Sequence, residues 1–264
     1  MRRIPGWREI SLFGNAPRHM LQTNGRLSAT LGAPLTWDIA YMRENGILPG
    51  TSHKEAEALR TLTRPLAGDF ESGAWASASW QDLGGVQLEK IPFRTRFKAL
   101  YDDAALYLGI EADLPDDVAV PSFGRDGSVY RTDCCDLVID PAAAKERYYH
   151  FIWTPQDGDR YDATFGMIED PLDPNYRSDY VLWDGDWTVG NRRSGGVWRT
   201  LLTVPFKTLG SPTPKPGDRY CMNLGRVAMF CKKTVGRQMN ALWSPNLESG
   251  TFGDPSAMGT LIFR

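Results

Sequence analysis

Phe93-Arg94-Thr95-Arg96-Phe97-Lys98-Ala99-Leu100-Tyr101 alternates apolar with polar side chains, the period of a half-buried β-strand. Asp102-Asp103 supplies the turn residues, and Leu106–Ile110 returns as a second strand, so the stretch is a hairpin. Leu137-Val138-Ile139 is a short apolar run between Asp136 and Asp140-Pro141, suited to a central strand. Tyr148–Trp153, Trp198–Val204, Tyr220–Phe230 and Leu261–Phe263 continue the series. Short strands punctuated by 26 Gly and 18 Pro, without strand–helix–strand periodicity, predict an all-β fold: an antiparallel β-sandwich.

The composition narrows the function. The chain has 264 residues and a formal charge of −2, which does not suit a nucleic-acid surface built from clustered Lys and Arg. No apolar stretch approaches the roughly 20 residues of a membrane span. Met1–Gly25 carries Arg2 and Arg3, but no apolar run follows to make a signal peptide. Nine Trp, ten Tyr and eleven Phe are enough to furnish both a ring-rich core and a stacking surface for a flat ligand. Among the four cysteines, Cys134 and Cys135 are adjacent and poorly placed to bond each other. Cys221 and Cys231 flank an apparent hairpin and can pair in an oxidising compartment; the plainer expectation is four small buried side chains.

Met1–Leu66 reads differently from the rest. Turn signals at Pro5-Gly6, Asn24-Gly25 and Pro49-Gly50 interrupt it. Ser52-His53-Lys54-Glu55 has the form of a capping box, and good helix formers follow to Leu62 before Pro65. The expectation is an irregular, partly helical N-terminal extension, residues 1–66, packed on a sandwich that spans 67–264.

The ordered phrases YDDAALYLGI (Tyr101–Ile110), DCCDLVIDP (Asp133–Pro141), RYYHFIWTPQDG (Arg147–Gly158), GVWRTLLTVPFKTLG (Gly196–Gly210), KPGDRYCMNLGRV (Lys215–Val227), ALWSPN (Ala241–Asn246) and DPSAMGTLIF (Asp254–Phe263) together resemble the carbohydrate-binding module family 9-like (DOMON-like) domains. That resemblance implies a jelly-roll-like sandwich that binds a poly- or oligosaccharide without cutting it. It implies an extracytoplasmic setting too, with a cytoplasmic one as the alternative. It also raises the prospect of a structural calcium ion. Asp69 and Glu71, Asp157, Asp159 and Asp162, or Asp184 and Asp186 would supply the oxygens.

Residue by residue, the family's acidic sugar ligand falls on Asp136, where Asp replaces the usual Glu. One wall of its aromatic clamp falls on Tyr130, the other on Phe252. Trp243 in the ALWSPN phrase joins this set. Asn223 and Arg226 match the family's N-x-x-R phrase, but three residues apart on a strand they face opposite ways, so at most one meets a ligand. The alternative for both is structural: Asn223 serving loop backbone, Arg226 paired with an acid. Departures from the family pattern are the lack of an Arg on His150–Trp153 and of an acid on Thr200–Thr203.

Two other readings remain open at this level. Asp136 and Asp140 share a strand face while Asp133 does not, and a carboxylate pair is the equipment of a glycosidase. His150, with Met167 or Met222, is the donor set available for a haem in a sandwich of this kind.

Overall fold

The computed structural model describes residues 54–166, 183–246 and 250–264. It contains β1 (Glu55–Arg60), β2 (Gln81–Asp82), β3 (Gly84–Gly85), β4 (Thr95–Tyr101), β5 (Ala105–Asp113), β6 (Cys134–Asp140), β7 (Tyr148–Trp153), β8 (Arg160–Phe165), β9 (Thr188–Ser194), β10 (Val197–Pro205), β11 (Arg219–Ala228), β12 (Met239–Leu242) and β13 (Gly259–Phe263). The strands run β8-β7-β6-β11-β13-β1-β4-β5-β10-β9 in one curled sheet that folds over on itself as a β-sandwich. One leaf is β8-β7-β6-β11, extended by β13 along the first half of β11 and by β12 along the second. The other is β4-β5-β10-β9. Among the described residues, α-helix is confined to the single turn Cys231–Thr234 (α1).

The core lies between the leaves because alternate residues of both point there. Phe97, Ala99 and Tyr101 of β4 and Leu106, Leu108 and Ile110 of β5 meet Cys135, Leu137 and Ile139 of β6, Phe151 and Trp153 of β7, and Met222 and Leu224 of β11. The hairpin expected from Phe93–Ile110 is β4-β5, paired antiparallel from Thr95↔Ala112 to Tyr101↔Leu106. All seven residues of β6 are buried, consistent with an apolar run covered on both faces.

The helix expected through Leu62 is a strand instead. Glu55 to Arg60 pairs in parallel with β13 on one side and β4 on the other, stitching the two leaves. The sequence Glu-Ala-Glu-Ala also has a period of two, and Ala56 and Ala58 point inward while Glu55 and Glu57 point out. Two waiting sheet edges outweigh a helix preference worth only tenths of a kcal/mol per residue. Ser52 and His53 of the expected capping box, and the rest of 1–53, lie outside the described residues.

Arg226 sits inside this core. Its side chain has no exposed surface, and Nη2 reaches Asp133 Oδ1 at 2.9 Å. The same guanidinium donates to the carbonyls of Cys134 and Val227 and lies 5.3 Å from the Trp198 ring of the opposite leaf. Asp133 also accepts from Phe230 N at 3.2 Å. The four cysteines are free and buried. Burial holds all four thiols above their ordinary range, Cys135 at about 12.

Asp159 fixes the loop that precedes β6. It is 2 % exposed and accepts from Ser122 Oγ at 2.7 Å, Gly124 N at 2.7 Å, Phe123 N at 2.9 Å and Thr154 Oγ1 at 3.2 Å. Burial works against its charge, but these donors together outweigh burial and hold the carboxyl below its ordinary range. A depressed carboxyl stabilises the fold above its unfolded pKa, and that contribution is lost as pH falls through the folded value. Asp159→Asn is therefore expected to lower the melting temperature at neutral pH, with the gap to the wild type closing below about pH 4. A gap of constant size from pH 7 to pH 3 would show that the charge is not what anchors the loop.

Candidate functional site

The outer face of β11-β6-β7-β8 carries one transverse row of facing residues: Gly225, Asp136, Ile152 and Tyr161. Asp136 is 7 % exposed, and its Oδ1 lies 3.0 Å from Nε2 of His150 on the same face. The Tyr161 ring stands edge-on to His150, with centroids 6.0 Å apart. Val129, Cys134, Ile152 and Val227 form an apolar patch alongside, against which Tyr161 and Phe252 pack while staying partly exposed.

Phe252 is seated by an absence. A Cβ on Gly225 would lie 2.8 Å from the Phe252 ring, so the ring occupies the space that any side chain at 225 would fill. Because Gly225 pairs directly with Asp136, the ring lies beside the carboxylate. The segment carrying Phe252 is fastened on both sides. Asn246 Nδ2 donates to Thr251 O at 2.9 Å and to Asp254 Oδ2 at 3.3 Å. Asp254 caps the following 3-10 turn through Ser256 N, and Met258 inserts beneath, against Val138, Tyr148 and Cys221.

Tyr130 lies on a 3-10 turn, Val129–Arg131, before β6 begins. No strand joins Tyr130 to Asp136, six residues on; Val129, wholly buried in the apolar patch, is what brings the turn to this face. Tyr130 is 51 % exposed, with the Arg131 guanidinium 5.7 Å from its ring centroid.

Three of the candidate ligand residues, Trp243, Arg226 and Asn223, have structural roles. Trp243 has no exposed surface and meets Phe97 edge-on in the core at 5.4 Å. Arg226 is the core ion pair described above. Asn223 does face outward with Val138, but it is 1 % exposed and spends its amide on the backbone. It donates to Ser244 O at 2.8 Å and Ala257 O at 3.2 Å, and accepts from Ser244 N at 2.9 Å. Asn223 therefore ties the two ends of the Phe252 segment to β11.

The acidic turns are likewise engaged by protein donors. Asp69 accepts from Glu71 N and Ser72 Oγ; Asp162 accepts from Gly185 N and Trp187 Nε1 and pairs with Arg125. Arg125 also pairs with Asp184, and Lys207 pairs with Asp186. Among the described residues, no three His, Cys, Asp or Glu groups converge as metal donors. His150 and Met222 project from opposite faces of the leaf, because His150 pairs with outward Val138 and Met222 with core-facing Ile139, so the two cannot ligate one haem. Met167 lies outside the described residues.

Residues 67–264 match the family described as carbohydrate family 9 binding domain-like. The chain belongs to that family. No curated protein matches it. Among solved structures, it is similar to a putative carbohydrate-binding protein from Bacteroides uniformis, with TM-score 0.62 and 16 % identity over 81 % of this chain and 100 % of that one. It is also similar to a family 9 carbohydrate-binding module from Caldicellulosiruptor kristjanssonii. In complex with cellotriose that module gives TM-score 0.56 and 13 % identity over 80 % of this chain and 94 % of that one. In complex with glucose it gives TM-score 0.56 and 14 % identity over 80 % and 96 %. At these identities the shared feature is the fold.

Within this family 9-like sandwich, the outer face contains groups that the phrases did not single out. His150 meets Asp136, Tyr161 stands against His150, and Gly225 makes the seat for Phe252. Gly225 had a signal: a glycine in the middle of a strand marks close approach of something across the sheet. Tyr161 had none, since the alternation of β8 is too short to show which face it presents.

Proposed function

We propose that this chain binds a saccharide, without cleaving it, on the outer face between Tyr130 and Phe252, with Asp136 accepting hydrogen bonds from sugar hydroxyls. The observation that carries this reading is the Phe252 ring lying over Gly225 beside the Asp136 carboxylate. A ring face offers apolar surface to the C–H side of a pyranose, and an adjacent carboxylate with His150 on one oxygen retains acceptor capacity for hydroxyls. Membership of the family supports it, as do the fold relatives that hold cellotriose and glucose.

The arrangement of the carboxylates supports a noncatalytic role. Asp136 and Asp140 share the face four residues apart on one strand, a Cα spacing of about 13 Å, whereas glycosidase carboxyl groups, roughly 5–9.5 Å apart, close on a bond from its two sides. Asp140 also spends its oxygens on Ala142 N and Lys145 N.

A glycan array that includes glucose and cellotriose, followed by calorimetry, tests this directly. The expected result is saturable binding with no release of reducing sugar. Asp136→Asn should weaken binding by roughly two- to tenfold, about 0.5–1.4 kcal/mol, because asparagine keeps an acceptor oxygen and loses only the charge. Turnover abolished by Asp136→Asn would make the site an enzyme; an array without a bound glycan would remove the site altogether.

A further inference from the structure

Beyond the clamp, the same loop borders a second depression. A groove of about 330 Å3 is lined by Val86, Gln87, Glu89, Arg237, Gln238, Met239, Asn240 and Gly250. Its size is within the range of about 300–1,000 Å3 of small-ligand clefts. Its walls are the turn after β3, the start of β12 and the loop that leads to Phe252.

The groove adjoins the proposed sugar site at two points. Asn240 pairs with Val227 across β11-β12, and Val227 belongs to the apolar patch on which Phe252 packs. Paired residues share a face and neighbouring strands lie about 5 Å apart, so Asn240 stands one strand away from the clamp floor on the same face. Gly250 lines the groove, and Phe252 follows two residues later on the same loop. Asn246 fixes that loop against the opposite wall by donating its backbone N–H to Val86 O at 2.8 Å while its side chain holds Thr251.

The chemistry of the lining is that of hydroxyl recognition. Gln87, Gln238 and Asn240 are carboxamides, each with donors and an acceptor, the combination that adjacent sugar hydroxyls complement. Gln238 Nε2 donates to Asn240 Oδ1 at 2.9 Å, which orients the pair and leaves the Asn240 amino group and the Gln238 carbonyl to a ligand. Glu89 turns one oxygen back to Gln87 N at 2.7 Å and so holds the turn. Gly250 has φ +69°, the left-handed region that favours glycine, and sits against the Gln87 side chain.

We propose that this groove is a second subsite, receiving the further units of an oligosaccharide whose first ring is held at Phe252. The subsite rests on the clamp reading and makes the protein a binder of chains in preference to single sugars. The test compares cellotriose with glucose by calorimetry on the full chain, using wild type, Gln238→Ala/Asn240→Ala and Arg237→Ala. Arg237 is exposed, so its truncation keeps the test open should the double variant fold poorly. The ratio of cellotriose affinity to glucose affinity is expected to fall by roughly two- to tenfold for each hydrogen-bonding side chain removed. Sugar binding with a wild-type ratio in the folded variants overturns the groove and leaves the clamp standing. A wild-type protein that binds neither sugar overturns the groove, and the clamp falls with it if no other glycan of the array binds.

Discussion

Arg226→Met is expected to destabilise the protein by about 3–5 kcal/mol, the cost of leaving one partner of a buried ion pair without the other. The substitution keeps the length and much of the volume of the side chain, so packing against Trp198 changes little. What changes most is Asp133, whose side chain is 3 % exposed and would keep only the Phe230 N–H as a neighbour among the bonds it now makes, while the Cys134 and Val227 carbonyls also lose a donor. For a domain of this size the loss corresponds to roughly 6–20 °C in melting temperature. Arg226→Met combined with Asp133→Asn should recover most of it, since asparagine keeps an acceptor for Phe230 N and removes the uncompensated charge. A buried pair replaced as a unit is often neutral. Should the single variant melt within a few degrees of wild type, or the double variant melt lower still, the pair is not what stabilises this part of the core.

That pair also shows where sequence reading succeeds and where it stops. Parity along a strand places Asn223 and Arg226 on opposite faces, and they are. Parity cannot say which face is the core or what covers the other. Both residues turn out to be committed to the fold, because a loop from the C-terminal end caps one face and the second leaf covers the other. The β4-β5 hairpin and the buried run of β6 were legible because their patterns are local. β1 was not, since its strand identity comes from β13 and β4, distant in the chain, and its alanines and glutamates suit either period. The proposed clamp rests on resemblance. Tyr130 sits on a short turn and Phe252 over Gly225, and neither placement is a periodic feature. Trp243 was misassigned for a related reason: a Trp beside a proline-containing turn looks available, and only the packing of Phe97 and Gly259 around it shows that it is not.

Phe252→Ala is expected to weaken saccharide binding by about ten- to a hundredfold, the effect of losing roughly 1.5–3 kcal/mol of apolar burial against the sugar face. Tyr130→Ala should act in the same direction, and its exposed ring makes a loss of fold stability small. A more discriminating change leaves both rings in place. Gly225→Val would put a branched side chain where the Phe252 ring now sits, since even a Cβ would lie 2.8 Å from it. Valine suits a strand, and the atoms nearest that Cβ belong to the Phe252 ring alone, so the expected outcome is a folded protein with the ring displaced. Its affinity should then resemble that of Phe252→Ala. Adding Phe252→Ala to Gly225→Val should cost little more, because residues that act through one contact are not additive. Additive losses would mean that Gly225 matters for something other than the ring. Wild-type affinity in Phe252→Ala would move the sugar away from this ring and leave the outer face without its first wall.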